Sequence, residues 1–184
     1  MTALQMVRQK EILPVTALLR KIATAGIAFI WMASTTKLLR GADPHWADYA
    51  VQAVFHGHSA APRFKPGADT WPDADPRFRD SVKFELGKGA NFAGFYTIVK
   101  VTCGTGCCYV VVVDVRSGHI YENLPFRTVV VGGPHPYRGL VFRLDSRLLM
   151  VEGSVDGSRV PSRTYYEWVG TSLHLIQKTP VAVR

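Results

Sequence analysis

The chain has 184 residues, which is enough for one ordinary domain and a short extension, and a core of that size needs no metal or disulfide to hold it. Its formal charge of +8 would suggest a nucleic-acid partner if the basic residues were clustered. However, residues 1–42 hold six of the 22 basic side chains and one of the 14 acidic ones, so 16 bases and 13 acids remain in the rest. The charge therefore argues against nucleic acid as a partner.

Residues 1–42 have the features of a leader for export. A basic pair ending at Lys21 precedes the uncharged, mostly apolar run 22–33, as in the n-region and h-region of a signal peptide. The run is shorter than the roughly 20 residues that a membrane-spanning helix needs. Two further basic residues follow it, which leaves an uncleaved inner-membrane anchor as an alternative. We therefore predict a signal peptide or N-terminal anchor over 1–42 and a periplasmic or secreted location for the rest, residues 43–184.

The start of the exported part, residues 43–76, is predicted to be mostly loop. Five prolines interrupt any regular pattern there. Between them, the apolar stretch 50–55 predicts one edge strand.

The next segment predicts the only sizeable helix of the exported part, over residues 76–86. Asp75 before a proline is a typical helix start, with an N-cap followed by proline at the first helical position. Phe78, Val82 and Leu86 recur at helical spacing and form one apolar stripe. The glycines that follow are typical of a helix end.

The remaining chain predicts about eight strands joined mostly by short turns. Apolar and β-branched runs alternate with turn residues, and Gly118 is placed to adopt a positive φ in a tight hairpin. This pattern predicts a mainly β domain over 43–184, an antiparallel meander forming a barrel-like or sandwich-like sheet with one short helix. Its paired hairpins also resemble propeller blades. The predicted strands are 95–102, 109–113, 119–121, 128–131, 140–144, 147–151, 164–168 and 172–176.

All three cysteines lie within six residues, at Cys103, Cys107 and Cys108. In an oxidising compartment, close cysteines tend to pair. A hairpin over the three small residues between Cys103 and Cys107 would bring these two within disulfide range, so we favour this pair over Cys103 with Cys108. A zinc site would need a second pair of ligands, and we predict no metal and no cofactor.

Three segments together resemble a known group of proteins. Asn-Phe-Ala-Gly at 91–94 with Tyr96, Cys-Gly-Thr-Gly-Cys at 103–107 and Val-Asp-Val-Arg-Ser-Gly at 113–118 are similar to segments of a group of uncharacterised exported proteins of Gram-negative bacteria. The resemblance implies export and a disulfide-closed turn, and it brings no established activity. This chain departs from the group at Phe95, where the group often has histidine.

The functional prediction is a small binding or interaction protein of the cell envelope. A stiffened, glycine-rich turn beside aromatic side chains is typical of a rigid loop that contacts a protein or a small ligand. Asn91, Phe92 and Tyr96 are the predicted binding residues. An inhibitor or an immunity protein would be a specific form of this function, and a structural envelope component is a further alternative.

The alternative from another class is an envelope hydrolase. It would use Cys108, His56, His58 or His119, with His119 or His135 as the base for the cysteine. Any small protein with six histidines offers such pairings, so we predict no catalytic residue.

Overall fold

The computed structural model describes residues 42–67, 72, 74–132 and 137–181. The predicted leader, apart from its last residue, and His135 lie outside them. The described residues form one antiparallel sheet of eight strands with a single α-helix and a short 3-10 helix, and the sheet is not closed into a barrel. The prediction of a mainly β, antiparallel fold with one short helix is confirmed.

The strands follow one another across the sheet in the order β1-β2-β4-β6-β7-β8, with β3 beside β2 and β5 beside β6. Each of the eight strands predicted after the helix overlaps one observed strand. In chain order the elements are the 3-10 helix Trp46–Tyr49, α1 Pro76–Gly87, β1 Tyr96–Gly104, β2 Cys107–Asp114, β3 Ile120–Tyr121, β4 Thr128–Val130, β5 Gly139–Phe142, β6 Leu148–Val155, β7 Ser162–Val169 and β8 Ser172–Pro180.

Helix α1 covers one face of the β1–β2 hairpin. The Asp75 carboxylate accepts a hydrogen bond from the Arg77 backbone N–H and caps the helix start, as predicted. The predicted stripe of Phe78, Val82 and Leu86 is buried against valines of β1 and β2. Within the described residues, no helix is long and apolar enough to cross a membrane.

The opposite face of β1–β2 packs against the other half of the sheet across a central core. The sheet is therefore folded over in a sandwich-like way, with its first and last strands contributing to the same cluster. The Tyr96 hydroxyl donates to the Gly170 carbonyl at 3.0 Å and joins the start of β1 to the end of β7. The buried core members are Phe92, Ala93, Tyr96, Ile98, Val110, Val112, Leu124, Phe126, Val129, Leu149, Val151, Tyr166, Trp168 and Leu173.

The predicted edge strand over 50–55 is not present. Ala50 makes only an isolated bridge with Ser146, and Phe55 donates its backbone N–H to the Gly94 carbonyl at 2.8 Å. These bonds go to two different loops at the ends of strands, so no continuous ladder forms. Phe55 instead packs against the cluster beneath α1, and Trp46 and Tyr49 just before the segment pack on the outer face of β6–β7.

Candidate functional site

The predicted cysteine pair closes the β1–β2 hairpin. Cys103 and Cys107 lie at disulfide distance, with their Cα atoms 5.2 Å apart. The strand register shifts between Thr102 and Gly104, so Cys103 occupies the extra position of a bulge. The geometry confirms the favoured pair.

The sheet itself separates the third cysteine from this pair. Successive side chains of a strand point to opposite faces. Cys108 packs against the central core, whereas its neighbour Tyr109 packs beneath α1, on the side of Cys107. The alternative pairing of Cys103 with Cys108 would have to cross the sheet. Burial raises the pKa of the half-buried Cys108 thiol, which keeps it protonated and weakly nucleophilic.

The residues of the alternative hydrolase are not brought together. The His119 carbonyl accepts from the Asp114 backbone N–H at the far end of β2. Cys108 lies six residues back along this strand, about 20 Å away at the usual rise per residue. His56 and His58 are exposed, and the described part of the chain contains no His, Cys, Asp or Glu cluster able to hold a metal.

The predicted binding residues lie in the loop before β1 and at its start. The Asn91 side chain accepts from the Ile98 backbone N–H at 2.8 Å and donates to the Ile98 carbonyl at 3.3 Å, so it fastens this loop to β1. Phe92 is fully buried and packs edge-to-face on Trp168. Tyr96, also mostly buried, forms part of a cavity wall described below.

A cluster of aromatic rings lies at the end of the β1–β2 hairpin opposite the cysteine turn. The Trp168 ring centroid is 4.9 Å from that of Tyr96 and 5.5 Å from that of Tyr121. The His119 ring stands edge-on to Tyr121 at 4.6 Å. These rings form a continuous wall at this end of the sheet.

Two adjoining depressions lie beside this wall and meet at the β7–β8 turn, where Gly170 lines one and Thr171 the other. We call the larger one, of about 680 Å³, the polar cleft, and the smaller one, of about 230 Å³, the Trp168 cavity. The polar cleft is lined by Arg63, Ser117, His119, Tyr121, Asn123, Thr171 and Ser172. The Trp168 cavity is lined by Val51, Gln52, Ala93, Phe95, Tyr96, Arg147, Trp168 and Gly170.

Arg63 reaches the polar cleft because its segment is bonded to the β2–β3 hairpin. Its backbone N–H donates to the Gly118 carbonyl at 2.8 Å, and the Ala60 N–H donates to the Val115 carbonyl at 2.7 Å. The approach is so close that a Cβ on Gly118 would collide with the Ala61 carbonyl oxygen. Gly118 also has a φ of 71°, as predicted for this turn.

The Asp114 carboxylate organises the same hairpin turn. It accepts from the Arg116 backbone N–H at 2.8 Å and from the Arg116 guanidinium at 2.8 and 3.1 Å. Burial alone would raise the pKa of Asp114, but the hydrogen bonds from Arg116 outweigh it and hold the pKa below its usual value. The guanidinium also stacks on the Phe95 ring at 4.4 Å. This turn is therefore a fixed part of the polar cleft.

We expect Asp114→Asn to change how stability depends on pH. Because the folded-state pKa of Asp114 is depressed, its contribution is complete above the unfolded pKa of about 3.9 and is lost as the pH falls through the folded value. The difference in unfolding free energy between wild type and variant should therefore shrink below about pH 4. Urea denaturation at a series of pH values measures this difference, and a constant difference across the series would contradict the assignment.

Two polar groups, one half-buried and one buried, border the depressions. Burial raises the pKa of the Tyr121 hydroxyl, and the neighbouring Tyr96 and Asp114 add to the effect, so this hydroxyl stays neutral. The Trp168 indole Nε1 is the one buried side-chain nitrogen or oxygen of the described residues that lacks a hydrogen-bond partner. Buried donors are normally paired, so this unpaired N–H is an exception, in a residue that lines the Trp168 cavity.

Most of the cleft residues were not predicted from the sequence. Arg63, Asn123 and Thr171 come from three separate loops, and no spacing between them marks a site. The sequence does predict the turns around Gly118 and Gly170, and these two turns are the sequence features that could have pointed to the cleft. What the sequence did not show is that these two turns meet.

Fold and site together define a small antiparallel β protein with a cysteine-closed hairpin at one end and a polar, aromatic-walled cleft at the other. Comparison of the chain with protein-family models, with curated proteins and with solved structures gives no match.

Proposed function

We propose that this chain is an exported protein of the bacterial cell envelope that binds a small polar ligand in the polar cleft and the adjoining Trp168 cavity. The observation that supports it is a set of hydrogen-bonding side chains left without partners beside the aromatic wall. Arg63, Asn123 and Thr171 have no side-chain hydrogen bond within the described part of the chain. Ligand pockets typically combine apolar walls with a few such convergent polar groups.

The groove beside the cysteine turn is the competing place for a partner. It has a volume of about 610 Å³ and lies between α1 and the end of β1, with Arg77 and Ser81 among its lining residues. The Arg77 guanidinium is already paired with Asp75 at 2.7 Å. The arginine of the polar cleft, Arg63, has no ion-pair partner among the described residues, whereas the arginine of this groove is paired. We therefore assign the ligand to the cleft and a supporting role to the cysteine turn.

Nuclear magnetic resonance tests the binding site directly. Uniformly ¹⁵N-labelled protein is titrated with a panel of neutral sugars, charged sugars and amino acids, and the indole N–H signal of Trp168 is assigned with a Trp168→Phe variant. We expect at least one compound to shift this signal together with the Thr171 and His119 amides. An Asn123→Ala variant should bind it about fivefold more weakly, the size of one lost hydrogen bond.

Thr105→Ala serves as the matched control, because Thr105 is exposed in the cysteine turn at the opposite end of β1–β2. It should bind the same compound as tightly as the wild type. Shifts confined to residues 101–107, or no shift with any member of the panel, would contradict the assignment of the ligand to the cleft.

The proposed location predicts a defined thiol count. We expect the full chain, produced in a Gram-negative host, to be recovered from the periplasm with one alkylatable thiol before reduction and three after it, because Cys103 and Cys107 are oxidised to a disulfide and Cys108 is not. Mass spectrometry after alkylation counts them, and a Cys108→Ser variant should show none before reduction. Cytoplasmic protein with three free thiols would contradict export.

A further inference from the structure

The charges around the polar cleft indicate the chemistry of its ligand. We propose that the ligand is a sugar that carries a carboxylate, held through its carboxylate by Arg63 and through its hydroxyl groups by the turns at both sides of the cleft. This inference rests on the proposed function and adds the ligand class to it.

The first step is the sign of the charge. The exposed Arg63 guanidinium has no protein partner within the described residues, and no carboxylate lines the cleft. Two acids in segments next to the cleft residues are already paired: Asp114 with Arg116 at 2.8 Å, and Glu122 with Lys65 at 3.0 Å. An uncompensated guanidinium favours an anion, and its planar fork suits a carboxylate in a bidentate arrangement.

The second step is the hydroxyl-rich remainder of the cleft. Opposite Arg63 lie the side chains of Ser117, Asn123, Thr171 and Ser172, which both donate and accept hydrogen bonds. Ser172 is already bonded to the His174 ring at 3.0 Å, and Ser117 accepts from the His119 backbone N–H at 3.3 Å. A carboxylate alone would use only Arg63 and leave Asn123 and Thr171 without a partner. A sugar ring supplies several hydroxyls for them and an apolar C–H face for the wall that Tyr121 forms. A volume of about 680 Å³ holds one or two such rings.

The third step is the size of the charge. The cleft contains a single arginine, and His119 beside it stands edge-on to Tyr121. One guanidinium matches the single charge of a carboxylate. This balance distinguishes a carboxylated sugar from a phosphorylated one, which carries more charge and is usually held by several cationic or backbone donors.

Isothermal titration of the full chain with four probes tests the inference. The probes are galacturonate, its neutral counterpart galactose, acetate as a carboxylate without a ring, and galactose 6-phosphate. We expect galacturonate to bind at least about tenfold more tightly than each of the other three, because only it engages both Arg63 and the hydroxyl-bearing turns.

An Arg63→Gln variant should lose about tenfold in affinity for galacturonate and change less than about twofold toward galactose. Arg159→Gln is the matched control, because Arg159 is an exposed arginine of the β6–β7 connection outside the cleft. It should bind all probes as the wild type does. Unchanged amide spectra of both variants show that the fold is intact.

Each contrary result would overturn one defined part of this inference. Equal affinities for galactose and galacturonate, or no effect of Arg63→Gln, would overturn the assignment of charge. If acetate bound as tightly as galacturonate, the assignment of a sugar ring to the ligand would be overturned. If no probe binds while another compound of the nuclear magnetic resonance panel shifts Trp168, this inference fails and the proposed function stands. If the panel also leaves the indole N–H signal of Trp168 unchanged, both this inference and the proposed function fail.

Discussion

Trp168→Ala should destabilise the domain by about 4 kcal/mol, within the usual range for removing a buried tryptophan. The Trp168 side chain is 2% exposed and contacts the rings of Phe92, Tyr96 and Tyr121. Its loss leaves a cavity where the two halves of the folded sheet meet. Urea denaturation followed by far-ultraviolet circular dichroism measures the change in unfolding free energy.

Trp168→Phe is the matched control for this prediction. Phenylalanine keeps an aromatic ring in the same place and removes the indole N–H that lacks a partner. Removing an unpaired buried donor relieves a desolvation cost, which offsets part of the lost volume, so this variant should lose no more than about 1.5 kcal/mol. Losses of similar size for the two variants would contradict the assignment of the ring to the centre of the core.

Gly118→Ala should be the second most damaging change, with a loss of at least about 2 kcal/mol. Two costs act together: the φ of 71° disfavours any residue with a Cβ, and the new methyl group collides with the Ala61 carbonyl oxygen. Relief of the collision would push the segment that bears Arg63 away from the hairpin. We therefore expect weaker ligand binding as well as lower stability, measured by urea denaturation and by the ligand titration.

Gly157→Ala separates these two costs. Gly157 has a φ of 75°, close to that of Gly118, but nothing lies within 4 Å of a Cβ built there. The variant should lose only the backbone cost of about 1–2 kcal/mol and should bind ligand normally. If Gly118→Ala is no worse than Gly157→Ala in both measurements, the segment around Arg63 is not held by this contact.

Local patterns in the sequence predicted the helix α1 and the eight strands of the sheet. The stripe of Phe78, Val82 and Leu86 has helical spacing because one face of α1 is buried, and the β-branched run of β2 is continuous because both of its faces are covered. Such patterns record burial along one element. The prediction of a strand over 50–55 was wrong for the same reason. Phe55 packs against a core cluster without joining the ladder of the sheet, and an apolar pattern does not distinguish the two situations.

The candidate site could not be predicted in the same way. Tyr96 was named among the binding residues from its neighbourhood in the sequence, and it does line the Trp168 cavity. Asn91 and Phe92, named with it, are used to fasten the loop and to fill the core. The groups of the polar cleft come from loops more than 100 residues apart, between Arg63 and Ser172. These groups come together only because the sheet folds over on itself, and no local sequence pattern predicts that folding.

The hydrogen bond between Tyr96 and Gly170 has a consequence for how the domain unfolds. Each half of the sheet covers the apolar side chains that the other half turns toward the central core, so detachment of either half exposes that core to water. Opening should accordingly be all-or-none, and amide protons of β1 and β7 should exchange with solvent deuterium at matching rates, both set by global unfolding. A fragment ending before residue 162 should behave as an expanded chain that binds hydrophobic dyes.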